Sequence, residues 1–192
     1  MQKTANIFIG FDHRERAAAN VLIDSLYNKS SIPISITPLI TSQLQNQGIY
    51  YRDRDPKQST DFSFTRFLVP YLMDYEGWAI FIDCDMLAYG DIGELWEQKN
   101  DDYSVLCAKH SHIPKEDTKF LGEIQSKYPR KNWSSMILFN CKKCKKLSVK
   151  YVNETPGLEL RRFHWLNSDS EIGEINNEKW NYLIGVDKNK DK

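Results

Sequence analysis

WAIFIDCD, Trp78–Asp85, carries five consecutive apolar residues directly into Asp83, Cys84 and Asp85. An unbroken apolar run of strand length predicts a strand covered on both faces, the pattern of parallel sheets in α/β proteins rather than of half-exposed hairpins. Two carboxylates at its end need a neutralising partner, because taking even one out of water is costly. If the chain stays extended, residues i and i+2 point the same way about 6.5–7 Å apart. Asp83 and Asp85 would then converge on one site with Cys84 turned away. A hard divalent cation suits that geometry, since Mg²⁺ or Mn²⁺ takes carboxylate oxygens and Mg²⁺ commonly completes its shell with substrate phosphates. The plainer alternative is one Asp bonding backbone amides in the turn and the other standing in solvent.

The flanking sequence extends the α/β reading. NIFIGFD, Asn6–Asp12, predicts a strand, and RAAANVLIDSLYNK, Arg16–Lys29, a helix whose apolar face holds Ala17, Ala18, Val21, Leu22 and Leu26. ISITPLI, Ile34–Ile40, predicts a strand interrupted by Pro38. Thr41–Ser63 is polar and turn-rich, which predicts a long surface loop, either a binding lid or a solvated insertion. FSFTRFLVPYLMDYEG, Phe62–Gly77, predicts a helix with Phe64, Phe67, Leu68, Tyr71 and Leu72 on one side and Gly77 as its stop. DIGELWEQ, Asp91–Gln98, is a short helix capped by Asp91. DYSVLCAKH, Asp102–His110, and NWSSMILFNC, Asn132–Cys141, are further strands. The alternation predicts an α/β fold: a central mixed, mainly parallel sheet flanked by helices. Ligands in such sheets sit outside the carboxyl ends of the strands. Asp12, Asp83 with Asp85, His110 with His112, and Asn140 are therefore expected on one polar rim.

Composition narrows the function classes. The 192 residues fit one domain, expected over 1–186, with a charged, frayed tail over 187–192. Twenty-six basic residues balance 26 acidic ones, so no overall charge drives the chain to nucleic acid or an anionic membrane. No apolar run approaches the roughly 20 residues of a membrane span, and MQKTANIFIGFDHRER lacks the pattern of a secretory signal. A cytoplasmic location is expected. Cys84, Cys107, Cys141 and Cys144 then read as reduced thiols. CKKC has zinc spacing but no second ligand pair follows it. Asn28, Asn132 and Asn153 begin N-x-S/T sequences, taken as accidental in that compartment. A phosphatase using the first Asp of Asp-x-Asp as nucleophile ranks lower, because Met86 and Leu87 stand where such enzymes carry Gly-Thr.

Four blocks in order, FSFTRFLVPYL, GWAIFIDCDMLAYGDIGELW, YPRKNWSSMILFNC and WLNSDSEIGEINNEKWNYLIG, resemble bacterial glycosyltransferases of the GT-A fold, close to the glycosyltransferase family 8 type. The resemblance implies a Rossmann-like nucleotide-binding sheet and transfer of a hexose-like sugar from a UDP- or GDP-sugar to a carbohydrate or other hydroxyl acceptor. It implies Phe11, Asp12 and Arg14 near the base and ribose and Arg66 near the phosphates or donor sugar. Asp83 and Asp85 would hold Mn²⁺ or Mg²⁺ on the diphosphate. Asn132, Trp133, Ser134 and Ser135 would lie on the sugar or acceptor side, Trp133 equally serving as a core aromatic. Asp169 or Glu171 would approach the sugar, unless both are helix-start charges. Proteins of this type continue to a block with a metal-ligating histidine, whereas this sequence ends at Lys192 without it. His110, at a strand end, is read as a surface histidine within reach of the site. Two functions remain open: an active transferase, or a nucleotide-sugar-binding protein impaired in turnover.

Overall fold

The structure, a computed structural model, describes residues 3–55, 58–110, 130, 132–175 and 179–184. The expected tail over 187–192, and His112, lie outside them. Strands β1 (Ala5–Gly10), β2 (Ile34–Leu39), β3 (Trp78–Ile82), β4 (Val105–Cys107), β5 (Met136–Asn140) and β6 (Ile172–Glu174) form one sheet in the order β2-β1-β3-β5-β4-β6. β1 pairs in parallel with β2 and β3, and β4 in parallel with β6. β5 runs antiparallel to both its neighbours, β3 and β4. The fold is the mixed, mainly parallel α/β sheet that the strand-helix alternation implied.

Burial explains the order. All five residues of β3 and all five of β5 are buried, as central strands covered on both faces must be. β2 alternates between half-buried and exposed positions because it is an edge. That edge lets it run through Pro38, whose missing N–H deprives no inner neighbour. α1 (Arg16–Lys29) covers one face with Ala19, Leu22 and Leu26, spaced i, i+3 and i+7. The apolar face is thus rotated from the expected one, and Val21 is 57% exposed.

Two other expectations change. Phe62–Gly77 is not one helix but a 3₁₀ turn, Thr65–Leu68, followed by the short α3 (Val69–Leu72). Pro70 sits in the first turn of α3, where its lack of an N–H is harmless. The chain then turns through left-handed Asp74, Tyr75 and Gly77. Thr41–Ser63 is not loop throughout: it begins with α2 (Thr41–Asn46), and Ile49, Tyr51 and Arg52 are bonded to a distant helix. The amide of Asn153, in α5 (Val149–Glu154), accepts from Tyr51 N and donates to Ile49 O and Val149 O at 2.7–3.0 Å. Arg52 donates to the carbonyls of Val152, Asn153 and Thr155, satisfying the carboxyl end of that helix, and its guanidinium lies 4.4 Å from the Phe64 ring centroid.

Asp91 caps α4 (Ile92–Trp96) by accepting from Gly93 N, as expected, and also takes Ser31 N and Oγ. α6 (Gly157–Arg161) follows α5. The four cysteines are buried free thiols, and Cys141 and Cys144 donate to the carbonyls of Phe139 and Ser104. CKKC is a core turn, and burial pushes the Cys141 thiol up to about 12. Among the described residues no helix is long and apolar enough to cross a membrane.

Candidate functional site

The carboxyl edge of β1, β3 and β4 is one rim. β3 ends at Ile82, and Cys84 and Asp85 lie in a turn, so the extended i, i+2 geometry does not hold for Asp83 and Asp85. Asp83 is instead neutralised by Arg66, with Nη1 and Oδ1 2.9 Å apart and the side chains 8% and 15% exposed. Asp85 is exposed. The Cys84 thiol is buried and donates to Glu15 Oε2. Burial first, and that hydrogen bond second, hold the thiol well above its ordinary pKa.

Arg66 is held from every side. Its guanidinium carbon lies 5.4 Å from the Phe62 ring centroid and 4.9 Å from that of Phe81, and Nη1 donates to Ser134 O at 2.6 Å. Phe62 reaches this position because β1 ends in glycine: a Cβ on Gly10 would lie 2.3 Å from its ring. No local pattern marks Phe62 and Phe81 as its aromatic walls, since they are 19 positions apart and meet only across the fold.

β5 brings its amino end, not its carboxyl end, to this rim. Asp83 N donates to Ser135 O at 2.8 Å. Asn132 is left-handed, a conformation asparagine tolerates, and its carbonyl accepts from the buried Asn181 at 3.1 Å. The Trp133 indole donates to His110 O at 2.9 Å, and Lys109 and Arg130 stand over its ring. His110 is buried, not a surface residue. Asn140 faces the opposite edge, beside Trp78 at the start of β3, and bonds Asp101. Its expected place on the rim is corrected by the reversal of β5. Asn181 lies in the WNYLIG segment, whose local pattern carries no signal for this contact.

Asp169 and Glu171 have structural partners. Glu171 closes a capping box, Oε1 accepting from Asn167 N and Ser168 N and Oε2 from Ser104 Oγ. The Ser104 bond holds its carboxyl below the usual range against the opposing effect of burial. Ser104 precedes β4, so this carboxylate belongs to the amino edge of the sheet, away from Asp83. Asp169 is 81% exposed and pairs with Arg130 at 2.5 Å.

The end of β1 builds a second part of the rim. Asp12 is buried and accepts from Arg14 N, Nε and Nη2 and from Asp61 N at 2.9–3.1 Å. Burial raises its pKa, but those bonds outweigh burial and bring it to about 2. Arg14 also donates to Ser59 O at 2.7 Å. Asp12 and Arg14 are therefore spent largely on each other and on the 58–61 segment. That segment walls a cavity of about 250 Å³ lined by Phe11, His13, Thr41, Ser42, Gln45, Tyr50, Arg52, Arg54, Gln58 and Asp61. Phe11 and His13, both in that lining, form an edge-to-face pair. Tyr50 and Gln58 lie in a polar, turn-rich stretch whose pattern carries no sign that their side chains are buried.

Among the described residues no three His, Cys, Asp or Glu side chains gather as a metal site. The two carboxylates of Asp83 and Asp85 match a hard cation only if a ligand such as a diphosphate supplies most of the shell.

No family model matches the chain. Protein CDI of Arabidopsis thaliana is 50% identical over 186 residues, which are 96% of this chain and 71% of that protein. The resemblance is thus not confined to bacterial proteins. Among solved structures, the chain is similar to the glycosyltransferase GlyE of Streptococcus pneumoniae (TM-score 0.55, 12% identity, 92% of this chain and 46% of that one). It is also similar to the apo WbbM bifunctional glycosyltransferase (0.53, 15%, 93% and 40%) and to the galactosyltransferase LgtC in complex with donor and acceptor sugar analogues (0.52, 10%, 90% and 74%). The chain spans less than half the length of GlyE and WbbM. At these identities the likeness establishes the fold, that of GT-A glycosyltransferases.

Proposed function

Because the chain belongs to the family of Arabidopsis Protein CDI and has the GT-A fold, we propose that it transfers a sugar, hexose-like in the family 8 manner, from a UDP- or GDP-sugar to a hydroxyl acceptor. The observation that carries this reading is the Arg66–Asp83 pair at the carboxyl edge of the sheet, with exposed Asp85 two residues on.

Breaking a glycosyl-phosphate bond builds negative charge on the leaving diphosphate. A cation fixed in advance where that charge grows lowers the barrier, because no reorganisation is needed at the moment of reaction. Arg66 meets this requirement: two aromatic rings, a carbonyl and Asp83 hold its guanidinium in place. Asp83 offsets its charge in the free protein. Asp83 and Asp85 would hold Mn²⁺ or Mg²⁺ together with diphosphate oxygens, and the ion would supply further neutralisation of the leaving group. Asn132–Ser135, joined to this cluster through Ser134 and Ser135, face the sugar or acceptor side. Phe11 serves the nucleoside directly, and Asp12 and Arg14 serve it by shaping the wall.

The test mixes the protein with MnCl₂ and a panel of UDP- and GDP-sugars, following melting temperature and nucleoside diphosphate release. Stabilisation with release is the expected result. Stabilisation without release in the presence of broad acceptor mixtures would leave a binding protein, and no manganese-dependent stabilisation by any nucleotide would overturn the proposal.

A further inference from the structure

We propose that Gln58 and Tyr50 read the donor's nucleobase in the cavity beside β1, an inference that rests on the nucleotide-sugar reading above. Both side chains are at least 96% buried, both line the cavity, and Gln58 Oε1 and Tyr50 Oη have no hydrogen-bond partner among the described residues. Buried polar atoms are nearly always paired, so two orphans in one cavity wall require an explanation.

Their chemistry is defined. The Gln58 amide cannot be flipped, because its nitrogen donates to two carbonyls, Thr60 O at 2.7 Å and Asp61 O at 3.4 Å. Its oxygen is therefore an obligatory acceptor. Burial pushes the Tyr50 hydroxyl up to about 12, against the opposing pull of Arg52, so it keeps its proton at neutral pH and can donate. One acceptor and one donor in a wall match an N–H beside an acceptor, the pattern on the pairing edge of a nucleobase. The edge-to-face Phe11 and His13 pair offers aromatic surface to a flat ring.

Position agrees with that chemistry. In the parallel β1–β3 pair Ile9 lies opposite Ile82, so the chain leaves β1 at Gly10 and Phe11 beside the point where it leaves β3 at Asp83. A base at the β1 end and a diphosphate at the β3 end lie in the order in which a nucleotide presents them. Asp12 and Arg14 hold Asp61 and Ser59, and so set the segment that carries Gln58.

Calorimetry with MnCl₂ and UDP, CDP, GDP, ADP or inorganic pyrophosphate, on wild type, Tyr50→Phe and Gln58→Met, tests the assignment. One base is expected to bind best. Tyr50→Phe should weaken that nucleotide about five- to tenfold, the usual worth of one neutral hydrogen bond. It should leave pyrophosphate binding unchanged and should not lower the melting temperature of the free protein, since an unpaired hydroxyl is all that is lost. Gln58→Met should weaken the same nucleotide at least as much. Equal affinity for all four nucleotides, or no loss in either variant, overturns the base reading and leaves the nucleotide-sugar reading standing. A fall of several degrees in the free Tyr50→Phe protein shows the hydroxyl to be structural and also overturns it. If no nucleoside diphosphate binds the wild type, both readings fall.

Discussion

Replacing Arg66 by methionine keeps an unbranched apolar stem and removes the guanidinium. The change deletes the 2.9 Å ion pair to Asp83, the 2.6 Å bond to Ser134 O and the contacts with the Phe62 and Phe81 rings. At an effective dielectric of about 20 the gross attraction across 2.9 Å is roughly 6 kcal/mol. Desolvation of both ions consumes much of it in the wild type, but removal of one partner leaves Asp83 charged in a largely covered position. Such one-sided losses cost about 3–5 kcal/mol. In a domain of this length each kcal/mol moves the melting temperature by about 2–4 °C, so Arg66→Met should lower it by roughly 6–20 °C in EDTA. Asp83→Asn should cost less. In the double variant the two effects should fall short of their sum by at least about 1.5 kcal/mol, because the stranded charge has gone with its partner. A fall below about 3 °C for Arg66→Met, or additivity within about 0.5 kcal/mol, would refute the pair as a coupled, stabilising unit.

Asp85→Asn should abolish manganese-dependent nucleotide binding by calorimetry with melting temperature unchanged, since the side chain is exposed; undiminished binding would remove this residue from the metal site. The Asp12 carboxyl titrates near 2 in the fold rather than near 3.8. It contributes stability fully present above pH 3.8 and lost as pH falls toward 2, about 2 kcal/mol in all; Asp12→Asn should flatten that part of the acid-unfolding curve, and an unchanged slope counts against the assignment. Asn153→Ala strands Tyr51 N and the Ile49 carbonyl and should cost about 2–4 kcal/mol by urea unfolding. Gly10→Ala drives a methyl into the Phe62 ring and should cost about 1–3 kcal/mol, with loss of nucleotide affinity because Phe62 backs Arg66.

What could be read from the chain follows the range of the interactions. β3 was legible because five apolar residues in a row admit few other readings, and Asp83 stood out as charge at the end of that run. The direction of β5 was not legible: a central strand is apolar throughout whichever way it runs, so MILFN carries no sign of its reversal, and Asn140 was placed on the wrong edge. The bonds that tie Thr41–Ser63 to Asn153 and Arg52 to α5 span about a hundred residues and leave no periodicity behind. Glu171 is the opposite case. Ser168-Asp169-Ser170-Glu171 is a capping-box sequence, a local signal that assigns the glutamate a structural task before any fold is known.

The bonding of Asn153 bears on how the protein can be made. Asn153-Glu154-Thr155 is also an acceptor sequence for N-linked glycans, and the nitrogen that a glycan would occupy is the one that donates to Ile49 O and Val149 O. Production through a eukaryotic secretory route would offer that nitrogen to the oligosaccharyl machinery while the chain is still unfolded. A sugar attached there would break the bonds that hold Ile49 and Tyr51 against α5. Secreted material should therefore be retained or misfolded, and Asn153→Gln would not rescue it, since the longer side chain cannot repeat the same set of bonds.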